Sequence, residues 1–122
     1  MVAVLNDYFE GLRHSDTQRL RRVFHEQAVY ATASHGQPLV LRMDEYLPIV
    51  DARPSPASKG EVGTDEIVSI EFVGHATALA KLRCSILPRS FLDVLTLIHV
   101  DGHWQVIAKV FHWDEEVQVL GG

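Results

Sequence analysis

The hydrophobic positions in the last third of the chain form two β-rich runs, FLDVLTLIHV and HWQVIAKVFHW, on either side of Asp101-Gly102. An Asp-Gly pair between two such runs is the strongest short-range signal for a β-hairpin. A two-residue turn at this pair places Val100 opposite His103. An uninterrupted register then fixes the partner of every residue from 91 to 113.

This register divides the side chains of the hairpin between two faces, and neither has the polar character of a solvent-exposed face. One face is predicted to carry Phe91, Asp93, Leu95, Leu97, His99, Trp104, Val106, Ala108, Val110 and His112. The other is predicted to carry Leu92, Val94, Thr96, Ile98, Val100, His103, Gln105, Ile107, Lys109, Phe111 and Trp113. A hairpin with one solvated face alternates apolar and polar residues. We therefore expect the chain's own helices to cover one face and a second subunit to cover the other.

Helical periodicity dominates the start of the chain. Apolar residues at helical spacing predict an amphipathic helix over residues 2–13. Ser15, with Gln18 three residues later, is a capping-box signature for a second helix that runs to about His25. The buried stripe of that helix is predicted at Leu20, Val23 and Phe24.

Short strands are predicted over residues 28–33 and 39–41, and Asp44 is the predicted N-cap of a third helix that ends near Ala52. Pro48 fits that helix only if it lies near the first turn. Residues 53–63 are rich in Pro, Ser and Gly, and are predicted to form a surface loop.

Two further strands, over 67–73 and 76–86, precede the hairpin. Three helices followed by four long antiparallel strands indicate an α+β fold. With 122 residues, the chain is predicted to form a single domain, residues 1–122, with one core. The three helices can cover one face of the sheet, which agrees with a partner on the other face.

Composition excludes some classes of partner. The net charge of −5 argues against nucleic acid, because phosphate binding needs a basic surface. No run approaches the roughly 20 apolar residues of a membrane span, and the first residues lack the pattern of a signal peptide. The single cysteine, Cys84, is expected to be a small buried hydrophobe, and a reducing cytoplasm is the predicted compartment.

Three segments carry a resemblance to a known family: YFEGLRHSDTQRLRRVFH at 8–25, YLPIVDARPSP at 46–56 and FLDVLTLIHVDGHWQVIAKVFH at 91–112. The chain resembles the NTF2-like superfamily, the cone-shaped fold shared by ketosteroid isomerases, scytalone dehydratase and the SnoaL polyketide cyclases. More narrowly, it resembles the putative lumazine-binding family. The resemblance implies three N-terminal helices packed on one strongly curved, mixed and mainly antiparallel sheet. It also implies a central cavity and a dimer formed through the outer sheet face.

Asp93 and His112 are the first candidates for chemistry. A carboxylate on an apolar face is costly unless it is paired or hydrogen-bonded. The hairpin register places His112 on the same face and diagonal to Asp93, within reach of long side chains. The two could form an acid–base pair at the mouth of a cavity. The alternative is a structural couple that tethers the last strand.

His25 is the third catalytic candidate, on the strength of the family pattern Phe-His at 24–25. The alternative is that a histidinium at the end of the second helix is simply favoured by the helix dipole. The predicted ligand-binding residues are Tyr8, Phe24, Tyr46, Phe91 and Leu95. Aromatic residues at helical spacing belong more often to a core than to a ligand site, which is the alternative for these residues.

The outer sheet face supplies the predicted dimer interface. Its residues are Val94, Ile107, Lys109 and Phe111, with the Lys109 stem packed at the interface rim. The seven histidines show no spacing typical of a zinc site, so no metal is predicted, and no cofactor is predicted either.

Three functions remain open. The first is a protein that binds a small apolar or aromatic molecule in the cavity between helices and sheet. The second is a cofactor-free isomerase, dehydratase or cyclase that uses Asp93 and His112 in proton transfer. The third is a non-catalytic dimerisation module. An acid and a histidine on the inner face favour the first two over the third.

Overall fold

The computed structural model describes residues 1–61 and 63–115. The helices are α1 (Val2–Arg13), α2 (Thr17–Val23) and α3 (Met43–Ala52), and a short 3-10 helix spans Ala57–Lys59. The strands are β1 (Phe24–Thr32), β2 (Leu39–Arg42), β3 (Glu66–Phe72), β4 (Thr77–Ile86), β5 (Arg89–Val100) and β6 (His103–Glu115).

The strands form one sheet in the order β2-β1-β6-β5-β4-β3. The β1–β6 pair is parallel and the other pairs are antiparallel. The sheet is strongly curved without closing into a barrel, and the three helices pack on its concave face. The predicted α+β class and the mixed, mainly antiparallel sheet are therefore confirmed.

The core lies between the helices and the inner face of the sheet. From α1, the residues Leu5, Tyr8, Phe9 and Leu12 are buried. Beneath the helices, β4 contributes small and medium side chains at alternate positions: Ala78, Ala80, Leu82 and Cys84. This alternation is what a strand with one covered face requires.

The hairpin turn forms as predicted. Asp101 and Gly102 both have positive φ, 51° and 82°, as the two central residues of the favoured two-residue hairpin turn require. Val100 pairs with His103, and the register runs regularly to the pair of Leu97 with Val106. The local sequence is therefore sufficient to specify the turn.

The register changes after that pair, because Ile107 is inserted as a β-bulge. Thr96 pairs with Ala108 rather than Ile107, and Asp93 pairs with Phe111 rather than Val110. A bulge of one residue sends every following side chain to the other face. The predicted faces are therefore wrong for the second half of β6.

The helix boundaries also differ in detail. Asp16, not Ser15, caps α2, and its carboxylate accepts a hydrogen bond from Arg19 N at 3.1 Å. The helix ends at Val23, so His25 lies in β1 and not at a helix end. The helix-dipole explanation of His25 is therefore wrong.

The N-cap of the third helix lies two residues earlier than predicted. Arg42, not Asp44, is the N-cap of α3, and the Glu45 carboxylate accepts a hydrogen bond from its backbone N–H at 3.0 Å. Pro48 lies inside the helix rather than in its first turn. Its side chain is exposed, so the ring does not disturb the buried face of the helix.

Candidate functional site

A buried ion pair lies at the centre of the inner sheet face. Asp93 on β5 is 0% exposed and Lys109 on β6 is 5% exposed. Lys109 Nζ lies 4.0 Å from Asp93 Oδ2. The bulge at Ile107 creates this pair, since without it Lys109 would point to the outer face.

Two more groups donate to the same carboxylate oxygen. The Tyr8 hydroxyl on α1 donates to Asp93 Oδ2 at 2.5 Å, and the Cys84 thiol on β4 lies 3.6 Å from it. Burial first, and then the Asp93 charge, raise the pKa of Tyr8 well above its ordinary value. The same two causes raise the pKa of the Cys84 thiol. Both groups are therefore neutral donors near pH 7.

Four aromatic rings surround the ammonium group of Lys109. Its Nζ lies 5.2–5.4 Å from the ring centroids of Tyr8, Tyr30, Tyr46 and Phe111. At this distance a ring face attracts a cation. Burial by itself lowers the pKa of Lys109, but Tyr46, Asp93 and the other acidic groups nearby outweigh burial and raise it. Lys109 is therefore a charged group in a water-poor setting.

Lys109 also lines a cavity of about 180 Å³. The lining residues are Leu12, Tyr30, Thr32, Leu39, Tyr46, Arg53, Cys84, Ile86, Arg89, Phe91, Lys109, Phe111 and Trp113. Asp93 is not among them and lies behind Lys109. The ion pair thus presents its positive member to the cavity and keeps its negative member in the core.

Arg53 is a second cation on the cavity wall. It follows α3 directly, with its backbone N–H bonded to the carbonyl of Val50. Its Nε and Nη2 atoms are shut off from solvent and have no hydrogen-bond partner among the described residues. A buried donor without an acceptor is unfavourable.

Arg89 and Trp113 form part of the cavity mouth. The Arg89 guanidinium lies over the Trp113 ring, 4.3 Å from its centroid. His35 packs against the same ring at 4.1 Å, and its Nε2 is 3.0 Å from the Trp113 carbonyl oxygen. The loop between β1 and β2 is thereby joined to the end of β6.

The predicted ligand-binding residues divide into two groups. Tyr46 and Phe91 line the cavity. Tyr8 is fully buried and reaches the cavity only through Asp93 and Lys109, while Leu95 is fully buried in the core. Phe24 packs edge-on between the Tyr8 and Tyr46 rings, 6.0 Å and 6.1 Å away, and supports the aromatic wall from behind.

Two of the three predicted catalytic residues lie elsewhere. His112 is on the outer face, where it contacts Ser34 and Asp114 at 3.0 Å. The predicted shared face of Asp93 and His112 is therefore wrong, because the bulge separates them. His25 accepts a hydrogen bond from Gln27 N at 3.0 Å and lines a surface groove, not the cavity.

Because of the same bulge, the predicted dimer interface is wrong at two residues. Lys109 and Phe111 are 5% and 7% exposed on the inner side, so neither belongs to the outer face. Val94 stays on that face, opposite Val110. Ile107 is half-buried at the bulge itself.

The sequence reasoning missed Arg53, Arg89 and Trp113 as cavity residues. Arg53 and Arg89 each border a loop or turn, and nothing in their local pattern distinguishes them from surface arginines. The uninterrupted register places Trp113 on the outer face. Within residues 1–61 and 63–115, no group of three or more His, Cys, Asp or Glu side chains is placed to hold a metal ion.

Solved structures with the same architecture define the class of the fold. The chain is similar to an NTF2-like protein of unknown function from Shewanella baltica OS155, with 25% identity, a TM-score of 0.83 and coverage of 94% of this chain and 91% of that chain. A second NTF2-like protein of unknown function, from Silicibacter pomeroyi DSS-3, has 21% identity, a TM-score of 0.80 and coverage of 93% and 92%. The fold is therefore an NTF2-like cone.

A more distant likeness is to a putative ketosteroid isomerase from Kribbella flavida DSM 17836, with 16% identity, a TM-score of 0.57 and coverage of 98% of this chain and 82% of that chain. At this identity the likeness shows the fold alone. No curated protein matches the chain.

The family model described as "Putative lumazine-binding" matches residues 1–112. The chain belongs to that family, as the three segments at 8–25, 46–56 and 91–112 predicted. In the part of the chain that the structure describes, no helix is long and apolar enough to cross a membrane.

Proposed function

We propose that this protein binds a small planar aromatic molecule in the cavity lined by Lys109 and Arg53. The observation that carries the proposal is the wall of the cavity, which combines aromatic rings with a charged, buried ammonium group. Tyr30, Tyr46, Phe91, Phe111 and Trp113 supply the rings, and Lys109 supplies the charge. Mostly apolar pockets with a few fixed polar groups are the usual form of small-molecule sites.

The size of the cavity supports a ligand of one or two rings. Its volume is about 180 Å³, and an engineered protein cavity of about 150 Å³ is known to hold benzene. Two residues of the cavity wall, Tyr30 and Tyr46, stack on each other with ring centroids 4.4 Å apart. The family description makes lumazine, a two-ring heteroaromatic compound, the first probe.

The test is isothermal titration calorimetry of the protein with lumazine. We expect saturable binding of one molecule per chain. The Ile86→Trp variant, which fills the cavity from β4, should lose that binding. Val40→Trp is the matched control, because Val40 is an exposed strand residue outside the cavity wall. Binding that survives in Ile86→Trp as fully as in Val40→Trp would place the ligand elsewhere.

A second candidate function is proton-transfer catalysis, now without His112. The observation that favours it is the Lys109 ammonium, since a fixed charge in a water-poor site stabilises the oxyanion of a dienolate while a water or buffer base takes the proton from C2 and returns it at C4. The test is the isomerisation of cyclohex-3-enone to its conjugated isomer, followed by ultraviolet absorbance. Activity that disappears in Lys109→Met but persists in Lys81→Met, a half-buried lysine on β4, would support it. Equal rates in both variants would reject Lys109 as the catalytic residue.

We also propose a homodimer through the outer sheet face. Val94 and Val110 are paired across β5 and β6, and Ala31 of β1 pairs with Val110 on its other side. Val29 and Val110 are 39% and 51% exposed, which is unusual for neighbouring valines at the centre of a sheet. An exposed apolar patch of this kind is typical of an oligomer interface.

Size-exclusion chromatography with light scattering tests the dimer. We expect twice the chain mass for the native protein and a monomer for Val110→Lys. Val2→Lys is the control, because Val2 is equally exposed, at 53%, but lies on α1. A native monomer, or a Val110→Lys dimer, would refute the proposed interface.

The cytoplasmic location stays a prediction from the sequence.

A further inference from the structure

The cavity wall has a marked excess of positive charge. Arg53, Arg89 and Lys109 line it, and none of its thirteen lining residues is an aspartate or glutamate. The whole chain carries a net charge of −5, so the wall has the opposite sign to the molecule. A site with this local charge favours an anion over a neutral ligand.

Lys109 does not account for this excess, because the carboxylate of Asp93 behind it balances its charge. Arg53 is different. No ion pair joins Arg53 to any residue within the described ranges, and two of its guanidinium nitrogens have no acceptor there. The fold therefore holds two desolvated guanidinium N–H groups beside the cavity, and neither has an acceptor among the described residues.

The two unpartnered nitrogens are Nε and Nη2. Their N–H bonds lie along one edge of the guanidinium plane, and this edge is the fork that binds both oxygens of a carboxylate. In this structure the edge is shut off from solvent. Arg53 is half-buried, and binding of a carboxylate in this way requires a rotation of the side chain that turns the fork towards the cavity.

The ring of Tyr30 connects Arg53 to the aromatic wall. Tyr30 and Arg53 both line the cavity, and Lys109 Nζ lies 5.3 Å from the centroid of the Tyr30 ring. Tyr30 stacks on Tyr46 at 4.4 Å. A planar ligand against these rings would lie in the cavity that Arg53 also lines.

We infer that the ligand is an aromatic carboxylic acid, whose carboxylate is bound by the Arg53 fork while its rings lie among Tyr30, Tyr46 and Phe111. This inference rests on the proposed binding function and adds the chemical class of the ligand. Arg89, at the mouth, adds positive potential along the path of entry.

The test compares 2-naphthoate with 2-naphthamide, which has nearly the same shape but no charge. We expect the native protein to bind the naphthoate roughly tenfold to a hundredfold more tightly, the range for a hydrogen bond to a charged group. Arg53→Gln should remove this preference, and Arg53→Lys should restore part of it. Arg83→Gln is the control, since Arg83 is exposed on the outer side of β4.

The outcomes separate this inference from the proposed function. Equal affinities for the two probes in the native protein, or a preference that survives Arg53→Gln, would overturn the carboxylate assignment and leave aromatic binding intact. Binding of lumazine but of neither naphthalene probe would also overturn it. Failure of all three compounds to bind would overturn both proposals.

Discussion

Lys109 Nζ lies 4.0 Å from Asp93 Oδ2 in the interior of the protein, and both side chains are almost completely buried. The two residues belong to neighbouring strands but are not directly opposite, since Asp93 pairs with Phe111 and Lys109 pairs with Leu95. Each charge is costly to bury alone, and each makes the other tolerable. This mutual dependence leads to the first prediction.

Asp93→Asn should destabilise the protein by about 3–5 kcal/mol, because it leaves the Lys109 ammonium buried without a counter-charge. The measurement is the free energy of unfolding in urea, followed by circular dichroism. Asp114→Asn is the matched control, since it removes a carboxylate that is exposed and bonded to His112. We expect that control to change stability by less than about 1 kcal/mol.

A double variant tests whether the loss of unfolding free energy comes from the buried charge that is left without a partner. Asp93→Leu combined with Lys109→Met removes both charges and keeps apolar side chains of similar volume. It should be more stable than either single variant, because neither leaves a lone ion behind. Additive losses from the two substitutions would show that the pair is not coupled.

Stability should fall as the pH rises above neutrality. Burial raises the pKa of Cys84 and of Tyr8 in the folded state. In the unfolded chain these groups lose their protons at about pH 8.5 and 10, while in the folded protein they keep them. The unfolded state then binds fewer protons, so each such group lowers stability by about 1.4 kcal/mol per pH unit.

Lys109 also makes the free energy of unfolding fall as the pH rises. Its pKa is raised in the folded state, so its contribution to stability is complete below the unfolded value of about 10.4 and is lost above it. Urea midpoints measured from pH 7 to pH 11 check the curve. Cys84→Ala should delay the first loss from about pH 8.5 to about pH 10. An unchanged onset in that variant would show that Cys84 does not titrate as described.

The fold could be predicted from the sequence because its local signals agree with its architecture. Asp101-Gly102 sets the hairpin turn, and helical periodicity sets α1. The site could not be predicted in the same way. Ile107 is an ordinary strand residue, and neither glycine nor proline marks the bulge that it forms. One inserted residue moves Lys109 and Phe111 into the core and His112 out of it.

The role of Arg53 depends on tertiary structure alone. It follows α3 and precedes Pro54, a local pattern that suits any surface loop. What singles it out is the cavity beside it and the absence of an acceptor for Nε and Nη2 among the described residues. Neither property exists before the helix and the sheet come together.

The N-cap of α2 in the structure is not the residue that the sequence pattern predicts. The capping-box pattern favours Ser15, whereas the structure gives the cap to Asp16 and leaves Ser15 at a φ of 50°. Asp16→Ala should therefore cost about 1 kcal/mol of unfolding free energy. Ser15→Gly should cost nothing or stabilise slightly, because glycine adopts positive φ without strain. The opposite ranking in urea unfolding would restore Ser15 as the cap.

Gly11 sits inside α1, where alanine would normally stabilise a helix by about 1 kcal/mol. Here a Cβ atom would lie 2.5 Å from Leu20 Cδ2 and 2.8 Å from its Cγ. Leu20 is fully buried, so its side chain can move only by displacing its core neighbours. Gly11→Ala should therefore destabilise the protein by about 1–3 kcal/mol, the usual cost of overpacking. Adding Leu20→Ala to the variant separates the helix propensity of alanine from the contact with Leu20, since the smaller side chain removes the clash. In thermal unfolding, Gly11→Ala should then be neutral or stabilising in the Leu20→Ala background, and the same penalty in both backgrounds would contradict this contact.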